Sequence, residues 1–76
     1  MKTFDTLEQL NDLVPCIEKS FVLHCKQVEE PFRVKTPTGY VLGKAGDYIM
    51  TGFENYGNQL FICDGKFFQQ TYDILN

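Results

Sequence analysis

The side chains best suited to chemistry in this sequence are one histidine and three cysteines. His24 and Cys25 are adjacent, while Cys16 and Cys63 supply the other thiols. Structural zinc sites use close pairs such as C-x2-C, because a tight turn presents both thiolates together, and no such pair occurs here. Adjacent strand residues point to opposite faces, so His24 and Cys25 diverge if this segment is extended. We therefore expect buried thiols that pack as small hydrophobic groups, with no metal and no cofactor.

Catalysis is not indicated by any motif in the chain. The sequence has no G-x-S-x-G nucleophile turn, no P-loop and no dinucleotide fingerprint. Gly39, Gly43 and Gly46 are spaced as turn residues rather than as a phosphate cradle. An active site needs a nucleophile with its base, a carboxylate pair or a metal in one cleft. The sequence predicts a protein that is not an enzyme and has no catalytic residues.

The elements that position these residues must fit into one small domain. The chain has 76 residues, of which 43% are hydrophobic and 14% aromatic. This content is too high for a disordered chain, and the length is too short for two cores. We therefore expect a single domain over residues 1–76.

Charge and cysteine content indicate the class of partner and the cellular location. The formal charge is -3, and it argues against binding of nucleic acid by bulk electrostatics, although residues 26–44 are mildly basic. Residues 1–5 lack the apolar segment of a secretory signal, and the number of cysteines is odd, so we expect a reducing, cytoplasmic location. No apolar run approaches the length of a membrane span, so we expect no membrane partner.

Residues 5–14 predict an N-terminal helix. Thr6 followed by Gln9 is a capping-box pattern, and Pro15 ends the segment. A helix this short is marginal without a core to pack on, so a loose tail is the alternative. Apolar residues recur at steps of three and four: Leu7, Leu10, Leu13 and Val14.

The rest of the chain predicts short strands joined by tight turns. Asp64 is placed to cap a single helical turn over residues 66–70. The expected fold is α+β: the N-terminal helix packs on a small, strongly curved antiparallel sheet, or partly closed barrel, of four to five strands. Apolar runs and turn residues place strands at 20–29, 32–36, 40–44, 48–51 and 59–63, with a last edge strand at 72–75.

A motif in the second half of the chain comprises Gly46, Asp47, Tyr48 and Gly52, followed by Phe68, Thr71 and Tyr72. This motif resembles that of a family of small uncharacterised proteins of phages and prophages. The resemblance covers about residues 26–73. It implies a phage origin and a shared fold, and it implies no chemistry. The residues themselves favour a structural interpretation, in which the glycines permit bends and the aspartate accepts local amide donors.

These patterns favour a binding module that engages a host or viral protein, with inhibition or modulation of that protein as the expected role. Phe53 and Tyr56 border a polar loop, and exposed aromatic residues often anchor protein contacts. Single-stranded nucleic acid is the less favoured partner; aromatic rings would stack on bases, and Lys26, Arg33, Lys35 and Lys44 would follow the phosphates. Alternation predicts that Arg33 and Lys35 face solvent. The oligomeric state is left open.

Overall fold

The computed structural model describes residues 1–19, 21–52 and 59–75. They form eight strands, one α-helix and a 3₁₀ turn at Leu7–Gln9. The strands are β1 (Lys2–Phe4), β2 (Val14–Glu18), β3 (Phe21–Gln27), β4 (Phe32–Thr36), β5 (Gly39–Gly43), β6 (Tyr48–Thr51), β7 (Phe61–Cys63) and β8 (Asp73–Ile74), and the helix α1 spans Gly65–Thr71.

The strands form two sheets. Sheet 1 has the order β1-β4-β5, in which β1 is parallel and β5 antiparallel to β4. Sheet 2 has the order β7-β6-β3-β2-β8, and all its pairs are antiparallel. In the described part of the chain, no helix is both long and apolar enough to cross a membrane.

The α+β prediction is wrong, because the described residues are mostly strand and contain no N-terminal helix. The expected single curved sheet or barrel of four to five strands is also replaced by two sheets. Residues 5–14 contain one 3₁₀ turn, in which Gln9 Oε1 accepts a hydrogen bond from Thr6 N at 3.0 Å. Leu10 is buried without a helix around it. The leucine spacing therefore marks residues that enter the core, and a helix this short gains too little from local hydrogen bonds to form.

Pro15 lies inside β2, where the sequence predicted only a helix end. Proline cannot donate a ladder hydrogen bond, so a strand accepts it where the N–H would be unused. The Pro15 carbonyl accepts from Leu75 N at 2.9 Å, on the side of β8. The nitrogen of a strand residue points to the same side as its carbonyl, away from its partner His24 on β3. The ladder between β2 and β3 therefore loses nothing at this position.

Two hydrophobic cores lie on opposite faces of sheet 2. Ile49 and Met50 are neighbours on β6 and are both fully buried, each in a different core. The core between the sheets contains Phe4 and Phe32, whose rings meet edge to face at 6.3 Å. The other core lies beneath α1, which contributes Phe68. Strand β6 is thus the element around which both cores form.

Several predicted elements are present. Strands β4 and β6 have the predicted bounds, and β3, β5, β7 and β8 overlap the predicted segments. Helix α1 begins after Asp64, whose Oδ2 accepts hydrogen bonds from Lys66 N at 3.0 Å and Phe67 N at 3.2 Å. This carboxylate pairs otherwise unsatisfied amide groups of the first turn. The late helical turn is therefore where the Asp64 pattern predicts it.

Candidate functional site

Arg33 and Lys35 lie on the outer face of sheet 1. Their neighbours Phe32 and Val34 are fully buried between the sheets, so alternation turns the two cationic side chains to solvent. This is the orientation that the sequence predicts. Arg33 is directly opposite Leu42 on β5, and Lys35 is opposite Tyr40.

Opposite residues of paired strands share a face, so Tyr40 and Leu42 join the two cations on the outside of the sheet. We call Arg33, Lys35, Tyr40 and Leu42 the outer patch. The Leu42 side chain is 69% exposed and Tyr40 is 50% exposed. The surface therefore combines aromatic, aliphatic and cationic groups in one place.

Contacts within the outer patch hold its aromatic and guanidinium groups in place. The Arg33 guanidinium carbon lies 4.6 Å from the centroid of the Tyr40 ring, a cation–π distance. Arg33 Nε also donates to Thr3 Oγ1 at 3.0 Å. The Tyr40 hydroxyl donates to Asp5 Oδ1, and this bond raises the pKa of Tyr40. The Tyr40 side chain thus remains neutral, and it is held by Asp5 at its hydroxyl and by Arg33 on its ring face.

Strand β5 forms an edge of sheet 1. Among the described strands it pairs with β4 alone, through five consecutive residue pairs without a bulge. Its sequence, Gly39-Tyr40-Val41-Leu42-Gly43, contains neither charge nor proline. Natural proteins normally protect such edges with charges, prolines or bulges, because the free main-chain groups attract another strand. Strand β5 has none of these devices.

The other two lysines of the basic segment lie apart from the outer patch. Lys26 forms an ion pair with Asp12. Lys44 Nζ binds Asp47 Oδ1 at 3.1 Å and Asp64 Oδ1 at 2.7 Å. The four cations that the nucleic-acid hypothesis placed along one backbone are therefore not brought together, and two of them are paired with carboxylates.

The glycine–aspartate motif links the turn before β6 to the start of α1. Gly46 has a φ of 95°, a left-handed conformation that favours glycine. Asp47 Oδ2 accepts from Lys44 N, and Oδ1 accepts from Gly65 N, both at 3.1 Å. Burial raises the pKa of Asp47, but the hydrogen bonds from Lys44 and Gly65 outweigh this and hold it below its ordinary value. The ionised carboxylate is therefore a structural connector.

A cleft of about 400 Å³ opens beside this connector, bordered by Gln27, Lys44, Asp64 and Gln69 among others. Gln27 Nε2 donates to the Gly46 carbonyl at 3.1 Å, and the Lys44 ammonium lies between two carboxylates. Three of these side chains, Gln27, Lys44 and Asp64, thus bind other groups of the protein and hold the wall of the cleft together.

The aromatic residues of the motif stack on one another. The rings of Tyr48 and Phe68 lie 3.7 Å apart and nearly parallel, and Phe68 stacks on Tyr72 at 5.2 Å. Thr71 is the last residue of α1, and the buried Gly52 directly follows β6. The stack joins α1 to sheet 2, so the spacing of these motif residues serves packing in this chain.

The three cysteines are free and buried in the core beneath α1. Burial raises the pKa of Cys16 to about 12, and it also raises the pKa values of Cys25 and Cys63. His24 is adjacent to Cys25 on β3 and therefore points to the opposite face. Within the described ranges, no group of three or more metal-ligating side chains could hold an ion.

Phe53 and Tyr56, the residues that the sequence favoured for protein contacts, lie outside the described residues. Tyr40, Val41 and Leu42 were not singled out as binding residues. Their signal in the sequence is an uncharged run between two glycines, next to a strand that alternates apolar and cationic residues. That run predicts a strand, but only the pairing order shows that the strand is an edge.

No protein-family model matches this chain, and comparisons with curated proteins and with solved structures find no match either.

Proposed function

We propose that this chain is a non-catalytic binding module that engages another protein through the outer patch and the adjoining edge of β5. The observation that carries the proposal is the exposure of three consecutive apolar side chains, Tyr40, Val41 and Leu42, beside the cations of β4. We further propose that it is an accessory protein of a phage or prophage, acting on a host or viral protein in the host cytoplasm. The phage assignment is supported by the motif resemblance alone.

The composition of the outer patch supports a protein partner. Tyrosine and arginine are enriched among residues that contribute most to protein interfaces, because they bury a large area with few rotatable bonds or bind carboxylates in a defined geometry. Arg33 is already oriented by Thr3 and Tyr40. Less side-chain entropy is therefore lost when a partner binds.

Single-stranded nucleic acid is the second candidate. Tyr40 with Arg33 and Lys35 on one sheet face is a small version of an aromatic, cationic stacking surface. Two cations neutralise few phosphates, however, and the whole chain carries a formal charge of -3. Protein binding is therefore the function that the geometry supports best.

Affinity purification of a tagged chain from phage-infected cells, with and without nuclease, tests the proposal. We expect a protein partner that is retained after nuclease and lost from a Tyr40→Ser, Leu42→Ser double variant. The matched control is Phe67→Ser, since Phe67 is 55% exposed on α1, away from sheet 1. A Phe53→Ala, Tyr56→Ala variant tests the loop that the sequence favoured.

Two results would contradict the proposal. Loss of all partners on nuclease treatment would favour nucleic acid. Equal loss in the Phe67→Ser control and the Tyr40→Ser, Leu42→Ser variant would show that binding does not depend on the outer patch. Circular dichroism of each variant checks that it remains folded.

A further inference from the structure

We propose that β5 receives an extended, acidic segment of the partner protein as an additional strand of sheet 1. The inference rests on the proposed protein-binding function and specifies its mode and the chemistry of the partner. Main-chain hydrogen bonds would supply part of the affinity, and side chains on the two faces of the added strand would supply selectivity.

The edge of β5 that faces away from β4 is not paired with any described strand. Each strand residue directs its N–H and C=O groups to the sides of the strand, and the described strands pair with β5 on one side only. The regular register with β4, from Phe32 opposite Gly43 to Thr36 opposite Gly39, keeps the strand extended over five residues. An incoming segment therefore meets the free main-chain groups of alternate residues in the exposed part of β5, residues 39–42, since Gly43 is buried.

Both faces of the β5 edge expose apolar side chains. Tyr40 and Leu42 lie on the outer face, whereas Val41 points to the inner face, toward the core between the sheets. Val34, which is opposite Val41, is fully buried, yet Val41 itself is 41% exposed. The core is thus open beside β5. A ligand lying only on the outer patch would leave Val41 exposed, whereas an added strand covers both faces.

The positive charge of Arg33 and Lys35 on the neighbouring strand β4 favours an acidic partner. Side chains of an added strand that point outward would lie beside Tyr40 and Leu42, about 10 Å from β4 across two strand spacings. Arg33 and Lys35 are long enough to meet a glutamate or aspartate across that distance. Among the described residues, no ion pair joins either cation to a carboxylate, and Asp5, the carboxylate at this surface, accepts the Tyr40 hydroxyl. The best complement alternates acidic outward residues with apolar inward ones.

A second copy of this chain fits the edge less well. Its β5 contains no carboxylate, and pairing of two β5 strands would place the Arg33 and Lys35 pairs of both copies on one continuous sheet face. Like charges on one face oppose association. The occupant is therefore an acidic segment of a different protein.

Nuclear magnetic resonance titration with a synthetic peptide tests the inference. The probe is a seven-residue peptide of alternating glutamate and valine, blocked at both ends, added to the full isotope-labelled chain. Two matched peptides replace every glutamate by lysine, or replace the central valine and the next glutamate by proline, so that one of the two lost main-chain donors faces β5 whichever way the peptide runs. We expect amide shifts centred on residues 39–43, about tenfold weaker binding of the lysine peptide, and loss of binding with proline.

A protein variant provides the reciprocal test. The Arg33→Gln, Lys35→Gln change removes both charges from an exposed face and should reduce affinity for the glutamate peptide by about tenfold. It should also abolish the difference between the glutamate and lysine peptides. If this variant is unfolded, the salt dependence of the wild-type affinity takes its place, because a charge-dependent complex weakens as salt is added.

Each contrary result would overturn a different part of the proposal. Equal affinity for the glutamate and lysine peptides would exclude an acidic partner, and unchanged binding of the proline peptide would exclude strand addition. A dimer abolished by Leu42→Arg would assign the edge to a second copy. If no peptide binds while the purified cellular complex still requires Tyr40 and Leu42, the strand inference fails and the proposed function stands. If the cellular complex is independent of those residues, the proposed function fails.

Discussion

A methyl group on Gly65 would lie 2.4 Å from the carbonyl oxygen of Gly46. The turn before β6 and the first residue of α1 therefore meet backbone to backbone, with no room for a side chain. Asp47 accepts a hydrogen bond from Gly65 N at the same place. The motif Gly46-Asp47 thus depends on Gly65, which lies 18 residues after Asp47. Glycine is needed at positions 46 and 65 for different reasons.

Substitution at each glycine should destabilise the fold by its own mechanism. Gly65→Ala forces the turn and α1 apart. A Cβ atom at position 46 would meet no atom within 4 Å, but Gly46→Val places a β-branched residue at a φ of 95°. We expect each change to lower the free energy of unfolding by about 1–3 kcal/mol, measured by chemical denaturation. Lys66→Ala, an exposed change in the same turn, should cost less than about 0.5 kcal/mol; an equal loss there would contradict the argument.

Asp47 should make stability depend on pH in the acid range. Its folded-state pKa is held below the unfolded value of about 3.9, so its contribution is present above that value and is lost as the pH falls through the folded pKa. Asp47→Asn should lower the free energy of unfolding at neutral pH by about 1–3 kcal/mol and flatten its decline on acidification. Denaturation curves across this pH range check both effects.

The matched control for Asp47 is Asp73→Asn, because Asp73 is exposed on β8. This change should leave the free energy of unfolding at neutral pH nearly unaltered. An acid decline that is as steep in Asp47→Asn as in the wild type would show that the carboxylate does not act as the connector described above.

The fold class was predicted wrongly, but individual strands were predicted correctly where local sequence signals agreed with the final pairing. Strands β4 and β6 have the predicted bounds, since alternation and turn residues mark both ends. The helix prediction for residues 5–14 was wrong for two reasons. Leucines at helical spacing enter the core although the segment is mostly irregular, and Pro15 is accepted within β2. Three-residue β1 gives almost no periodic signal, and its parallel pairing with β4 depends on distant residues.

The candidate site was predictable only in part for the same reason. The outward orientation of Arg33 and Lys35 follows from alternation with buried neighbours. The presence of Tyr40 and Leu42 beside them follows from register, and the availability of β5 follows from strand order. Neither register nor order is specified by a local pattern when a sheet mixes parallel and antiparallel pairs.

Tyr72 should titrate in the alkaline range and affect stability there. Burial, followed by the nearby Glu18 carboxylate, raises its pKa to about 12, whereas an unfolded tyrosine has a pKa of about 10. The contribution of Tyr72 is therefore complete below pH ~10 and is lost as the pH rises through its folded pKa. Ultraviolet titration of phenolate should show a late transition that loses the equivalent of one tyrosine in Tyr72→Phe, and the decline in stability over this range should be smaller in that variant.

Glu18→Gln separates the two causes of the Tyr72 shift. Removing the carboxylate should lower the pKa of Tyr72, but it should leave the value above that of an unfolded tyrosine, because burial is the larger cause. A late transition that is unchanged by Glu18→Gln would contradict the electrostatic contribution of Glu18.

The buried thiols should be unreactive in the folded protein and reactive once it unfolds. A Cys16 pKa of about 12 leaves roughly a thousandfold less thiolate than the ordinary value of 9.0, and the side chain is inaccessible as well. A thiol reagent at mildly alkaline pH should label three cysteines rapidly in denaturant and none on that timescale in the native state. Rapid native labelling of one thiol, an intramolecular disulfide in mass spectra, or stoichiometric zinc in elemental analysis would contradict this.

The packing of Cys16 provides the final test, because it distinguishes a hydrophobic thiol from a polar or ligating one. Cys16 is fully buried among Leu23, Cys25 and Met50 in the core beneath α1. A serine there would bury a hydroxyl at a cost of about 1–3 kcal/mol, whereas an alanine loses only the contacts of one sulfur atom. Cys16→Ser should therefore be less stable than Cys16→Ala in chemical denaturation. The reverse order would show that the site offers polar partners, which is incompatible with a thiol that serves only to fill the core.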